Sequence, residues 1–368
     1  MDGPKADSEK VSKGSREAFT EDLQTNYELI SKRILDSNLK KEELILGTRT
    51  KTKVYLIFVE GIAYESILKE AKNRLRGLCR DEVMDSGVAE QLTKENPWSV
   101  FPQSQATERP DRVSQALLDG RVAVLFDHAP EALLLPAVFE SFFQTSDDYY
   151  RHFWMVSFLR FIRLTAAMTA VLLPGFYVAV TGFHAEVLPT NLILVMAKSR
   201  EGVPFPVILE ILLLELAFEL IREAGVRMPG TVGSTIGIVG GLIIGQSAVS
   251  ASLVSPMSVV MVGLSALGAF AVPDEEMSEA LRLIKYPILL LCGFWGMFGL
   301  VWGAYLCVVH LAGLKSYGIP YLYPFVAANM NQDKDVQDSI VRFPMGELWK
   351  RPIYARRSQR VRMKQKER

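Results

Sequence analysis

Apolar and polar positions intermingle over the first 150 residues and then give way to long apolar blocks. In the mixed part, Lys53–Val59 (KVYLIFV) and Arg121–Asp127 (RVAVLFD) are short β-branched and aromatic runs, the pattern of buried strands. Apolar residues at helical spacing predict a helix through Leu23, Tyr27, Leu29, Ile30 and Ile34, capped by Thr20 or Asp22. They predict a second through Ile67, Ala71 and Leu75, and a third through Val113, Leu117 and Leu118 that ends at Gly120. Strand and helix alternate, so a small α/β domain is expected.

The apolar blocks have a different period and length. Leu164–Phe183 is uncharged, follows Arg160 and Arg163, and carries Pro174, which should kink it. Between Arg227 and Asp274 there is no Asp, Glu, Lys or Arg. A charge at a bilayer centre costs about 2.5–3.5 kcal/mol on insertion scales, so a charge-free run of this length reads as two crossings, Val232–Val249 and Met257–Val272. A fourth span is expected over Tyr286–Val309. Glycines recur on one face at Gly233, Gly237, Gly241 and Gly245, and again at Gly293, Gly296, Gly299 and Gly303, positions where helices can pack closely within one subunit or between subunits.

Pro206–Glu223 (PVILEILLLELAFELIRE) fits neither class. At 100° per residue, Glu215, Glu219, Arg222 and Glu223 share one arc, while Glu210 points to the apolar side. Two readings stand side by side: an interfacial helix with Glu210 paired to a basic side chain, or a polar path in which Glu210, Glu215 and Glu219 attract cations.

Composition adds that 41 basic residues balance 41 acidic ones, which excludes a nucleic-acid binder and implies two unlike halves. Met1–Thr20 has no apolar core of the kind a signal peptide needs, so the first half is expected in the cytosol. Lys and Arg crowd the sequence from Lys350 onward and place that end there too, leaving Lys198, Arg200, Arg222 and Arg227 outside or at membrane depth. Cys79, Cys292 and Cys307 and the four scattered histidines have no metal-ligand spacing. No nucleophile, cofactor or phosphate-loop motif is present, so neither an enzyme nor a cofactor is expected.

The expected organisation is α+β overall. Residues 1–45 form a disordered start and connecting helix, 46–150 a cytosolic α/β domain, 151–325 a helical membrane domain, and 326–368 a basic cytosolic tail. The membrane domain has about four spans plus an amphipathic or re-entrant helix.

Ordered motifs run through both halves. Thr107-Glu108-Arg109-Pro110, Leu117-Leu118-Asp119-Gly120-Arg121-Val122, Phe142-Phe143-Gln144 and Asp148-Tyr149-Tyr150 are followed by Glu201-Gly202-Val203-Pro204-Phe205-Pro206. Arg222-Glu223-Ala224-Gly225-Val226-Arg227, Ile243-Ile244-Gly245-Gln246, Leu253-Val254-Ser255-Pro256 and Gly318-Ile319-Pro320-Tyr321-Leu322 come after these. Together they resemble the A subunits of GerA-type spore germinant receptors, with the stage V sporulation protein AF a close relative. One departure is that family members usually carry a further N-terminal subdomain before the stretch resembling Gly14–Glu21.

The resemblance implies a multi-pass protein of the inner spore membrane that forms an oligomeric cation path. It would work with a transporter-like B subunit that senses the nutrient and a lipoprotein C subunit, in contact with membrane lipid. A non-conducting scaffold subunit is the alternative.

Overall fold

The computed structural model describes residues 14–227, 240–241, 245–326 and 338–362. The chain divides into two compact units, Met1–Ile162 with His310–Arg368, and Arg163–Val309.

The first unit is built on a five-stranded sheet in the order β1-β2-β4-β5-β3, from β1 Leu39–Leu46, β2 Thr52–Val59, β3 Gln105–Thr107, β4 Val122–Phe126 and β5 Ala132–Leu135. Every pairing is antiparallel, so the domain is α+β rather than the α/β unit that alternating elements suggested. Both predicted strands are present and adjacent, with Leu56 opposite Val124 and Val54 opposite Phe126. They read as continuous apolar runs because the sheet is covered on both faces. Val54, Leu56, Phe58, Val124 and Phe126 pack with Ile67, Ala71 and Leu75 of helix α2 (Glu65–Arg76). Ile57, Val59, Ala123 and Leu125 face the other way, toward α1 (Leu23–Ser31) and α4 (Pro110–Leu118). Helix α3 is Ser86–Thr93.

Of the two candidate caps of α1, the structure uses Asp22, whose carboxylate accepts the Thr25 N–H at 2.7 Å. Residues 39–45, expected within a disordered start and connecting helix, instead belong to edge strand β1. Its sequence, LKKEELIL, buries only Leu44 and Leu46, so its apolar signal is weak.

The segment expected as a basic tail also builds this unit. Ile353, Tyr354 and Ala355 are buried in the two sheet faces, and Ala63 bridges to Ala355. Arg160, expected at a membrane border, is buried: its Nε donates to Asp148 at 3.1 Å and its Nη1 to the Asp338 carboxylate at 3.0 Å. Tyr149 donates to Asp338 at 2.9 Å, and burial pushes its hydroxyl pKa upward, with the Asp338 charge adding to the effect. Gln144 donates to the Asp338 carbonyl at 2.8 Å. The Phe-Phe-Gln and Asp-Tyr-Tyr motifs are therefore where residues 338–342 dock.

Thr-Glu-Arg-Pro also has a structural role. Thr107 ends β3, Pro110 starts α4, the Glu108 carbonyl accepts the Phe19 N–H, and Arg109, 2% exposed, forks onto Asp111 through Nε at 3.0 Å and Nη2 at 2.6 Å. Burial alone would raise the Asp111 carboxyl, but the Arg109 bond and charge, the Arg112 N–H and the Tyr150 hydroxyl outweigh it and hold the pKa below the usual value. A depressed folded pKa gives stability that is present above the unfolded carboxyl pKa and lost as pH falls through the folded one. Asp111→Asn should thus lower the unfolding midpoint at neutral pH and lose most of that difference in strong acid, measured by denaturant titration of the full chain in detergent.

The second unit is helical. Helix α5 (Phe153–Phe183) enters it from the first unit and runs unbroken through Pro174. It is followed by α6 (Thr190–Ser199), α7 (Val207–Arg227), α8 (Pro256–Phe270), α9 (Glu275–Trp295) and α10 (Met297–Gly313). Among the described residues, α5 alone is long and apolar enough to cross a membrane, with α8 and α10 shorter apolar helices. Most of the expected second span, with Gly233 and Gly237, lies outside the described residues.

The expected fourth span is not one helix. Gly296, at φ 59 and ψ −134, ends α9, and α10 starts one residue later. The chain then doubles back, so a Cβ at Gly299 would lie 2.1 Å from the Leu291 carbonyl oxygen, and one at Gly303 3.0 Å from Ile288. Gly293 instead faces Ile208 of α7, while Gly241 has nothing within 4 Å and Gly245 meets Val259 at 3.6 Å. Gly299→Val is expected to destabilise the unit by about 1–3 kcal/mol by forcing two backbones apart. Hydrogen exchange across α9 and α10 in the full chain should show faster opening, whereas Gly241→Ala should leave it unchanged.

Candidate functional site

Helix α7 carries the three carboxylates that the sequence singles out, and the structure sends them to two places. Glu210, fully buried, lies on the side opposite Glu215 and Glu219 and meets Arg200 of the α6–α7 connection, Nη2 to Oε1 at 2.9 Å. Its other oxygen accepts the Ser255 N–H at 3.0 Å and the Ser258 hydroxyl at 2.9 Å. Ser255 also caps α8, with Pro256 in its first turn, so the Leu-Val-Ser-Pro motif delivers one donor to the buried carboxylate and sets the helix start that brings the Ser258 hydroxyl to it. Pro204, Phe205 and Pro206 form the connection that holds Arg200 there: the Phe205 carbonyl accepts from Arg200 at 3.2 Å, and the Pro206 carbonyl accepts from Leu209 and Glu210 as α7 begins.

Glu215 and Glu219 face α9 instead. Lys285 Nζ reaches Glu215 at 2.5 Å, and Arg282 Nη1 reaches Glu219 at 2.5 Å. The spacing explains the match, since carboxylates four apart on α7 meet cations three apart on α9, running in the opposite direction. Lys285 also lies 3.5 Å from the Ser265 hydroxyl, which donates to the Ala170 carbonyl at 2.8 Å. Glu215 and Lys285 are 3% and 5% exposed, so this pair is shielded from water, whereas Glu219 is only partly covered.

All three ion-path candidates are thus ion-paired within the chain, and the site is a ladder of charge across α6, α7, α8 and α9. Arg222, on the same arc as Glu215 and Glu219, lies over the Phe270 ring at 5.0 Å and has no carboxylate partner among the described residues. The sequence reading anticipated a base for Glu210 without naming it. Lys285 and Arg282 precede the apolar block of the expected fourth span and carry no motif, although two cations three apart at its border are a usable signal.

Among the described residues no group of three or more His, Cys, Asp or Glu could hold a metal ion. His128 lies 3.7 Å from Asp127 but is largely exposed. What the arrangement can do chemically is exchange partners: a carboxylate held by a cation in an apolar setting can trade that cation for another.

The surroundings of the ladder are apolar and open. Leu264, Leu267 and Phe270 of α8 and Phe298, Val301, Trp302, Tyr305 and Val308 of α10 are all exposed. A helix that is apolar all round and uncovered calls for lipid or a protein partner.

A sequence profile of the Bacillus/Clostridium GerA spore germination protein family matches residues 3–354. The chain is 41% identical over 350 residues to spore germination protein KA of Bacillus subtilis strain 168, covering 95% of this chain and 64% of that protein. It is 39% identical over 344 residues to the membrane protein YfkQ of the same organism, covering 94% and 66% respectively. The chain therefore spans a little under two thirds of the length of these relatives. A crystal structure of the N-terminal domain of the A subunit of the Bacillus megaterium spore germinant receptor GerK3 matches 33% of this chain and 97% of that one, at 37% identity and a TM-score of 0.27.

Proposed function

Because this chain belongs to the Bacillus/Clostridium GerA spore germination protein family, we propose that it is a membrane subunit of a nutrient-responsive spore germination receptor and contributes a path for monovalent cations. The observation that carries the reading is the Glu215–Lys285 and Glu219–Arg282 ladder, ion-paired inside a helical unit whose outer surface is apolar. Ion pairs in such a setting are weak evidence for stability, since apolar replacements of similar volume are often neutral, and charges at membrane depth commonly line ion pathways. An entering cation would compete with Lys285 and Arg282 for the two carboxylates. Glu210, enclosed by Arg200, Ser255 and Ser258, holds α6, α7 and α8 together in this reading.

The proposal places the helical unit in the inner spore membrane, crossing it several times, with the sheet unit and the C-terminal segment in the cytosol. Several copies would surround the path, with Gly293, Gly299 and Gly303 packing helices within each copy. A transporter-like partner would sense the nutrient, and a lipoprotein subunit would complete the receptor. Nutrient binding would open the path by favouring the conducting arrangement over the closed one, because a ligand shifts an equilibrium only by its differential affinity.

Potassium flux through liposomes carrying this chain with its partner subunits tests the reading. Flux on nutrient addition is expected, and Glu219→Gln, which alters a partly covered member of the ladder, should reduce it without disassembling the complex. A second reading, a non-conducting scaffold, is favoured by the fact that each carboxylate already has a base on a neighbouring element. An assembled, nutrient-binding complex that passes no ions would select the scaffold.

A further inference from the structure

Beside the ladder, the helical unit contains a cavity of about 310 Å³, inside the size range of small-molecule sites. Phe218, Ile221, Ala266, Ala269 and Phe270 give it apolar walls. Its charged lining is Arg222, Arg282 and Lys285 against Glu215 and Glu219, which leaves one positive charge over. Lys285 and the Nη1 of Arg282 are committed to the two carboxylates, and the exposed Glu279 touches Arg282 Nη2 at 3.4 Å from outside the lining.

Two donors remain. Arg222 lies over the Phe270 ring and makes no hydrogen bond or ion pair among the described residues, although the Glu219, Glu275 and Glu279 charges act on it, and Arg282 Nε is buried without a hydrogen-bond partner among the described residues. Leaving a buried donor unpaired is unfavourable, and more so when it is charged, so an acceptor is expected at this point. Glu215 Oε1 is buried without a hydrogen bond as well, but Lys285 already balances its charge.

We propose that this cavity binds an anionic amphiphile: an acidic head group held by Arg222 and Arg282 Nε, with an alkyl chain lying along Phe218, Ile221 and Phe270. The head group belongs either to a free medium-chain carboxylate or to an anionic membrane lipid. A guanidinium lying across an aromatic ring offers its N–H edge to such a head, and a neutral or cationic amphiphile brings these donors no charged acceptor. This inference is independent of whether the chain conducts ions, because its readout is binding.

Octanoate labelled at its carboxyl carbon, titrated by NMR against the full chain in nanodiscs of zwitterionic lipid, tests it. Saturable binding is expected, with octylammonium not binding. Arg222→Gln should weaken octanoate by at least about tenfold, and Arg222→Lys should retain part of the affinity. Ala266→Leu narrows the cavity while leaving every charge in place and should also weaken binding, with hydrogen exchange verifying the fold of each variant. In discs containing phosphatidylglycerol, loss of octanoate binding identifies the lipid head as the occupant, and undiminished binding identifies the free acid. No saturable binding in zwitterionic discs, equal binding by wild type and Arg222→Gln, or equal affinity for octylammonium would overturn the proposal.

Discussion

Lys285→Ala should destabilise the helical unit by about 3–5 kcal/mol, because it leaves Glu215, 3% exposed, as a buried carboxylate without its cation. Most of that loss is the uncompensated charge rather than the attraction of the pair. The double replacement of Glu215 and Lys285 by leucine should therefore return close to wild-type stability, since it removes both charges and fills similar volume. Denaturant titration of the full chain in detergent, with hydrogen exchange on α7 and α9, separates these outcomes. If the single variant were within about 0.5 kcal/mol of wild type, the pair would be accessible to water and its burial would need revision. In the conduction reading, the leucine pair has a further consequence: it should fold but lose nutrient-triggered flux.

Arg160→Ala carries an effect of similar size in the sheet unit, again about 3–5 kcal/mol. Arg160 sits between Asp148, fully buried, and Asp338, and its Nη1 also donates to the carbonyls of Asp338 and Ser339 at 2.7 Å and 2.8 Å. Removing it takes the Arg160 cation from the buried Asp148 carboxylate, which keeps the Thr145 N–H and hydroxyl, and releases the segment that holds Arg342, whose guanidinium donates to the carbonyls of Asp148 and Arg151. Arg160→Lys restores one charge but not the fork, so it should recover only part of the loss. Protease cleavage near residues 338–342 should accelerate in the alanine variant and less so in the lysine one. Equal cleavage of both variants and wild type would mean that this docking does not depend on Arg160.

The parts legible in the sequence are those with one strong local signal. Strands β2 and β4 stood out because both sheet faces are covered and Val54–Val59 and Val122–Phe126 are unbroken apolar runs, and α4 because an amphipathic run ends at Gly120. Strand β1 was hidden because an edge strand buries little, and β3 because three residues carry no period. The break at Gly296 was illegible for a different reason: in an apolar run a glycine that packs a helix and a glycine that ends one look alike. Only the backbone conformation distinguishes them.

The candidate site divides along the same line. Helical periodicity correctly separated Glu210 from Glu215 and Glu219, since it depends on angle alone. Their partners Arg200, Lys285 and Arg282 depend on which helices meet; the two cations three apart before the apolar block mark α9 as a candidate, but no local pattern encodes the pairing itself. The same limit applies to Arg222, whose motif position was visible but whose location beside a cavity was not.

A subunit of the proposed kind should be required for nutrient to release ions from the spore. The most direct measurement is potassium release from spores in which this chain and its partner subunits are the only receptor, compared with spores lacking the chain alone. Release within the nutrient response is expected of the first, none of the second, and recovery when the chain is returned. Release that persists at the same rate in its absence would contradict that requirement.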